Sequence, residues 1–183
     1  MSFSLRSDST LTNRARRIRL LALDVDGVLT DGRLYFQADG IESKAFHTQD
    51  GLGIKLLQRT GVDVALITGR DSPMVSQRAA ALGIAHVHQD RDDKLAALQE
   101  LCRQLNLTTD QAAYAGDDLP DLAAIKQAGL GMTVPNAPMY IQEHADWVTE
   151  HPGGQAAVRD ICDMLLKAQD NWQAILDSYL SDS

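Results

Sequence analysis

Six short apolar runs, at residues 19–24, 62–68, 85–88, 112–115, 131–134 and 146–149, alternate along this 183-residue chain with stretches whose apolar residues recur at helical spacing. Strands so separated return to a sheet through helical crossovers, which makes the sheet parallel and places helices on both of its faces. The expected fold class is therefore α/β, a doubly wound, Rossmann-like parallel sheet. Its helices are predicted near 51–60, 72–82, 92–105, 119–128, 137–144 and 155–168. Ser72-Pro73 reads as a helix start, and Gly61, Gly83 and Gly129 sit where helix ends need a left-handed residue. Residues 33–46 break the alternation, reading as a short hairpin around Asp39-Gly40. Leu11, Ala15 and Ile18 predict a helix before the first strand, and 169–183 reads as a helical tail with a polar end. One domain over 1–183 accounts for the whole chain.

Charge narrows the range of partners. With a formal net charge of −8 and a pI near 4.9, a nucleic-acid partner and a membrane surface are not expected. No apolar run approaches the roughly 18 residues of a membrane span, and no secretory apolar region is present. Arg6, Arg14, Arg16, Arg17 and Arg19 with the single acid Asp8 faintly imitate a transit peptide, but the helical spacing favours a surface helix. Cys102 and Cys162, 60 positions apart, suit free buried thiols in a reducing cytoplasm.

In a sheet of this kind the working residues sit just past the carboxyl ends of the strands. The first strand ends in Asp24-Val25-Asp26-Gly27. An ionised carboxylate can attack phosphorus, and a second can protonate the departing oxygen and then take a proton from water. Asp24 is the expected nucleophile and Asp26 the proton shuttle. The second strand ends Thr68-Gly69-Arg70, a hydroxyl, a backbone amide and a guanidinium fork suited to an anion. Lys94 stands at a helix start, where a cation is disfavoured unless an anion lies near. The fourth strand ends Gly116-Asp117-Asp118, with Asp121 beyond. Magnesium takes hard oxygens and keeps several waters, so Asp24 and Asp117 with the backbone carbonyl of Asp26 form its expected ligand set, Asp118 and Asp121 capping the next helix or orienting ligands. Taken singly, these are an Asp-Gly turn, a polar loop and an exposed lysine; their succession at four strand ends points to phosphate monoester hydrolysis.

These motifs, Asp24-x-Asp26, Thr68, Lys94 and Gly116-Asp117-Asp118-x-x-Asp121, resemble those of the haloacid dehalogenase superfamily, whose phosphatases use an aspartate nucleophile. The resemblance implies that Thr68 hydrogen-bonds the phosphoryl oxygens and that Lys94 neutralises charge. The chain is too short for the cap domain many members carry, so another subunit is expected to cover the site. More closely, from about Leu20 to the end, it resembles the capless 3-deoxy-D-manno-octulosonate 8-phosphate phosphatase family. The likeness runs through the segment 24–32, Phe46-His47-Thr48-Gln49-Asp50-Gly51-Leu52-Gly53-Ile54, Thr68-Gly69-Arg70, Gly116–Asp121 and Gly153-Gly154. It implies a magnesium-dependent phosphatase of lipopolysaccharide biosynthesis and a homotetramer whose hairpins form a barrel. It further implies that His47, Thr48, Gln49, Asp50, Gly51, Lys55, Gly69, Arg70, Arg78 and Lys94, with Asp26, surround a sugar-acid phosphate. Ala156 and Asp160 depart from the glycine and glutamate usual there.

Two rivals remain at this level. A phosphatase for an acylneuraminate 9-phosphate would have the same catalytic residues. A non-catalytic interaction domain of this fold would be marked by loss of one of the acids, and Asp24, Asp26, Lys94 and Asp117 are all present.

Overall fold

The computed structural model describes residues 9–181; Arg6, Asp8 and the last two positions of the expected polar tail lie outside the described residues. Helix α1 (Ser9–Arg16) leads into β1 (Leu20–Leu23), followed by a hairpin of β2 (Tyr35–Phe36) and β3 (Glu42–Ser43) and by α2 (Thr48–Arg59). Then come β4 (Asp63–Ile67), α3 (Pro73–Leu82), β5 (His86–His88), α4 (Lys94–Gln104), β6 (Ala112–Ala115) and α5 (Leu122–Gln127). The chain closes with β7 (Leu130–Thr133), α6 (Met139–Gln142), β8 (Trp147–Val148), α7 (Ala157–Ala168) and α8 (Trp172–Ser181).

The six strands outside the hairpin form one parallel sheet in the order β5-β4-β1-β6-β7-β8, with β1 in register with β4 from Leu20↔Asp63 and with β6 from Leu20↔Ala112. Successive side chains point to opposite faces. Leu21, Leu23, Val64 and Leu66 therefore enter a core with α1, α2, α3 and α7, while Leu20, Ala22, Ala65 and Ile67 enter another with α4 and α5. This two-faced burial is why the strands read as continuous apolar runs rather than alternating ones. The chain reverses direction across the sheet beside β1, opening the crevice that a doubly wound sheet uses for ligands. Among the described residues no cap domain covers that crevice.

Several local expectations change. Residues 119–128 are a 3-10 turn at Leu119–Asp121 followed by α5, because Asp121 turns its carboxylate back toward the strand end instead of continuing a helix. Gly129 does not end α5 in a left-handed conformation; α5 ends on the extended Ala128, and a Cβ at Gly129 would fall 2.1 Å from the Asp110 carbonyl oxygen. Close backbone approach is what requires glycine there. Ser72 precedes α3 without a side-chain cap, its N–H donating instead to Gln89 Oε1 at 2.9 Å. Ala156 takes φ +80°, a conformation that costs an L-residue roughly 1–2 kcal/mol. Cys102 and Cys162 are free and buried.

The loop before α7 packs on the loop after β1. Gly154 N–H donates to the Val28 carbonyl at 3.1 Å, and a Cβ at Gly153 would lie 1.8 Å from the Gly27 carbonyl oxygen. Gly153→Ala is expected to lower stability by roughly 2–4 kcal/mol, a fall in melting temperature of about 5–12 °C. Thermal unfolding followed by circular dichroism checks it; an unchanged melting temperature would show that the two loops part freely.

Candidate active site

Each strand tip in the crevice is fixed by backbone before its side chain acts. Asp24 N–H donates to the Ala115 carbonyl at 2.9 Å, extending the β1–β6 ladder by one residue, and Thr68 N–H does the same toward His88 at 2.9 Å. Past Asp24 the chain turns sharply. Thr30 Oγ1 accepts from Gly27 and Gly32 N–H groups at 3.4 and 3.2 Å, which folds 25–32 into a compact loop. Gly27 sits at φ +98°, and a Cβ there would be 2.0 Å from Asp117 Oδ2, so glycine lets the two acidic loops meet. Asn136 ties a third segment to them, donating to the Gly27 carbonyl at 3.3 Å and accepting from Gly153 N–H at 2.8 Å.

Asp121 is the hub. Its Oδ1 accepts from Lys94 Nζ at 2.7 Å and from Tyr114 Oη at 2.6 Å, and its Oδ2 from the N–H groups of Asp117 and Asp118 at 3.1 and 3.2 Å. With both oxygens engaged, this buried carboxylate organises the loop and holds Lys94. Lys94 Nζ then lies 2.8 Å from Asp24 Oδ1, with both side chains only 6% exposed. Asp118, for which capping and orienting are both open from sequence, accepts from Leu119 N–H at 2.8 Å and caps the turn.

A cavity of about 290 Å³ opens here, lined among others by Asp24, Asp26, Thr68, Gly69, Arg70, Lys94 and Asp117. Carboxylate oxygens of Asp24, Asp117 and Asp121 lie within 4.8 Å of one another. Burial, with Asp121 adding to it, raises the Asp24 carboxyl to about 8, Lys94 opposing both. Burial and then Asp121 likewise raise Asp117 to about 6. Burial works to lower Lys94, but Asp24 and Asp121 outweigh it and hold its proton. One ammonium against three carboxylates leaves an excess of negative charge on hard oxygens. That donor set fits magnesium, and since Asp121 is engaged by four donors, Asp24 and Asp117 are the carboxylates left for the ion.

Asp26 faces the hairpin. It ion-pairs with Lys44, which is 3.3 Å from Glu42, and Glu42 accepts from Arg70 Nη2 at 2.7 Å. Neither Glu42 nor Lys44 is anticipated from sequence; Glu42 opens the two-residue β3 and Lys44 lies just past its end. Tyr114 and Asn136 escape notice there as well; Tyr114 reads simply as a core residue, and Asn136 gives no local signal.

The remaining expected residues lie elsewhere. His47 precedes α2 and its carbonyl accepts from Arg78 Nη2 at 3.2 Å; Asp50, 1% exposed, accepts from Arg159 N–H at 2.8 Å. A Cβ at Gly51 would meet Arg78 at 2.5 Å, and Thr48, Gln49 and Lys55 lie along α2, all three exposed. None of the seven lines the Asp24 cavity within one chain.

Residues 82–159 match the family model of haloacid dehalogenase-like hydrolases. The chain is 46% identical over 157 residues to 3-deoxy-D-manno-octulosonate 8-phosphate phosphatase of Yersinia pestis, covering 86% of this chain and 84% of that protein. Among solved structures, the phosphatase of that name from Moraxella catarrhalis, in complex with magnesium, phosphate and KDO, superimposes with a TM-score of 0.91 at 45% identity, covering 92% of this chain and 97% of that one. A cobalt-bound phosphatase of that kind from Haemophilus influenzae gives 0.83 at 41%, covering 86% and 92%.

Raised carboxyl pKa values set a sign. Between the unfolded value near 4 and the folded ones, the folded chain holds protons that the unfolded chain has lost, so metal-free stability falls as pH rises through that window. Magnesium relieves the same repulsion and stabilises only the folded form. The rise in melting temperature on adding magnesium should be larger at about pH 8 than at about pH 5, and smaller at both in Asp117→Asn. A magnesium effect that shrinks with pH would contradict this charge arrangement.

Proposed function

The chain belongs to the 3-deoxy-D-manno-octulosonate 8-phosphate phosphatase family, and from this membership we propose that it hydrolyses that sugar-acid phosphate to the free sugar acid and inorganic phosphate with magnesium as cofactor. The observation that carries the proposal is the Asp24 carboxylate at the tip of β1, 2.8 Å from Lys94 and sharing one cavity with Asp26 and Asp117.

Asp24 attacks phosphorus as the bond from phosphorus to the sugar oxygen breaks, and Asp26 gives that oxygen a proton. In the second half, water loses a proton to Asp26 as it attacks phosphorus, and the bond to Asp24 breaks. Lys94 lies against the attacking carboxylate, where it attracts the negative phosphoryl group and offsets its repulsion from Asp24. Thr68 Oγ1 and the Gly69 amide bind phosphoryl oxygens at the neighbouring tip, and Arg70 reaches the substrate from the rim. Asp24, Asp117 and the Asp26 carbonyl would hold magnesium, which when bound would supply positive charge to the phosphoryl oxygens.

His47, Thr48, Gln49, Asp50, Gly51, Lys55 and Arg78 lie outside the cavity of their own chain, and the reading that gives them a part in sugar-acid binding requires a second copy over the open crevice. That ground gives a homo-oligomer; the count of four comes from the family resemblance, and on the two together we infer a homotetramer. The hairpin supports it: Leu34, Tyr35, Phe36 and Ile41 are 42–64% exposed in a strand pair too short to stand alone. Among the described residues no helix is long and apolar enough to cross a membrane. Two free buried thiols suit a reducing cytoplasm, and family membership supports a place there in lipopolysaccharide biosynthesis.

Phosphate release from 3-deoxy-D-manno-octulosonate 8-phosphate, compared with an acylneuraminate 9-phosphate, tests the substrate; preference for the second would overturn it. Asp24→Asn should reduce turnover by at least about 10⁴-fold. Asp117→Asn should instead raise the magnesium needed for half-maximal rate by at least about 10-fold. Wild-type turnover in Asp24→Asn would rule out the covalent route.

A further inference from the structure

The two hairpin charges close a ring with two residues of the cavity. Lys44 ion-pairs with Asp26 Oδ1 and stands 3.3 Å from Glu42 Oε1; Arg70 Nη2 is 2.7 Å from Glu42 Oε2, and Arg70 Nε is 3.9 Å from Asp26 Oδ2. Charge alternates in sign around all four members. The Lys44 side chain is only 1% exposed, and a lysine is almost never so buried without a carboxylate partner. Burial works to raise the Glu42 carboxyl, yet the neighbouring Lys44 ammonium and the hydrogen bond from Arg70 hold it below its ordinary value. Nothing in a hairpin of two residues per strand requires such an arrangement, since Gln37 N–H to Ile41 and Gly40 N–H to Gln37 already close its turn at 2.9 Å each. The ring therefore serves the cavity.

We propose that Lys44, braced by Glu42, is a positioning residue that fixes the Asp26 carboxylate for the second half of the reaction. One Asp26 oxygen is pinned by Lys44 and the other faces Arg70 across the cavity. After the sugar acid leaves, this pinned carboxylate is the group that must meet the incoming water and take its proton while the bond between phosphorus and Asp24 breaks. A carboxylate–lysine contact that keeps the side chain from swinging away sets how often water arrives correctly aligned. The first half-reaction depends on it less, because the bound substrate itself crowds Asp26 into place. The inference rests on the phosphatase reading above.

Rapid-quench measurement separates the two halves. The full chain with magnesium and 3-deoxy-D-manno-octulosonate 8-phosphate is sampled for sugar acid released in the first turnover, for acid-trapped aspartyl-phosphate and for steady-state phosphate. In Lys44→Met, first-turnover release should stay within about threefold while steady-state turnover falls about 10- to 100-fold, with aspartyl-phosphate accumulating on most of the enzyme. If Lys44→Met does not fold by circular dichroism, Glu42→Gln decides the matter, with the same accumulation and a smaller loss. Equal slowing of both halves, or no accumulation in the variant that folds, overturns the assignment. An unaltered chain that releases no phosphate overturns the functional reading itself, a result the variants cannot produce.

Discussion

The crevice depends on one buried ammonium, Lys94, lodged between the carboxylates of Asp24 and Asp121 at 2.8 and 2.7 Å. Bringing three acids and a lysine out of water is unfavourable unless each remaining lone pair and proton finds a partner. Asp121 meets that condition with four donors, two from backbone and two from side chains. Asp24 and Asp117 meet it only in part. The residual negative charge is what gives the site its affinity for a divalent cation, so the same electrostatic imbalance that weakens the empty fold prepares it for magnesium and for phosphate.

Around that pair the fold acts as a set of clamps on backbone. Parallel pairing sets the height of the tips at Asp24 and Thr68, and glycines at 27 and 153 let loops from distant parts of the chain approach to contact distance. Asn136 joins these loops with one side chain. Asp160 accepts from the N–H groups of Glu150 and His151 at 3.0 and 2.9 Å and so steadies the segment that carries Gly153. The left-handed turn at Ala156 leads from that segment into α7.

The hairpin carries two surfaces of different character. Its charged face lies on Asp26 and Arg70, while Leu34, Phe36 and Ile41 remain exposed. Without a cap domain among the described residues, the crevice is open to solvent, and water is a competing nucleophile as well as a reactant. An apolar surface that sits beside a chemically active one links assembly to closure: contacts made by copies of the chain with each other would also hold Glu42 and Lys44 in place.

The six parallel strands, their flanking helices and the motif acids at the strand tips can all be read from the chain, because hydrophobic periodicity and position after an apolar run are local properties. So can the identity of the groups that meet in the cavity: Asp24, Asp26, Thr68, Arg70, Lys94 and Asp117. What cannot be read is which group each one touches. Asp121 looks like a cap or an outer orienter and in the fold holds Lys94, Tyr114 and two amides; Lys44, a lysine on an irregular stretch, is buried against Asp26. Gly129 looks like a helix end and instead makes room for another backbone. Composition and order along the chain determined the fold and the chemistry on offer, whereas the partners of each charge were decided only when segments distant in sequence, such as Gly27 and Asn136, 109 residues apart, were brought together. Side-chain pairing across such distances depends on how the chain packs, and no local pattern encodes it.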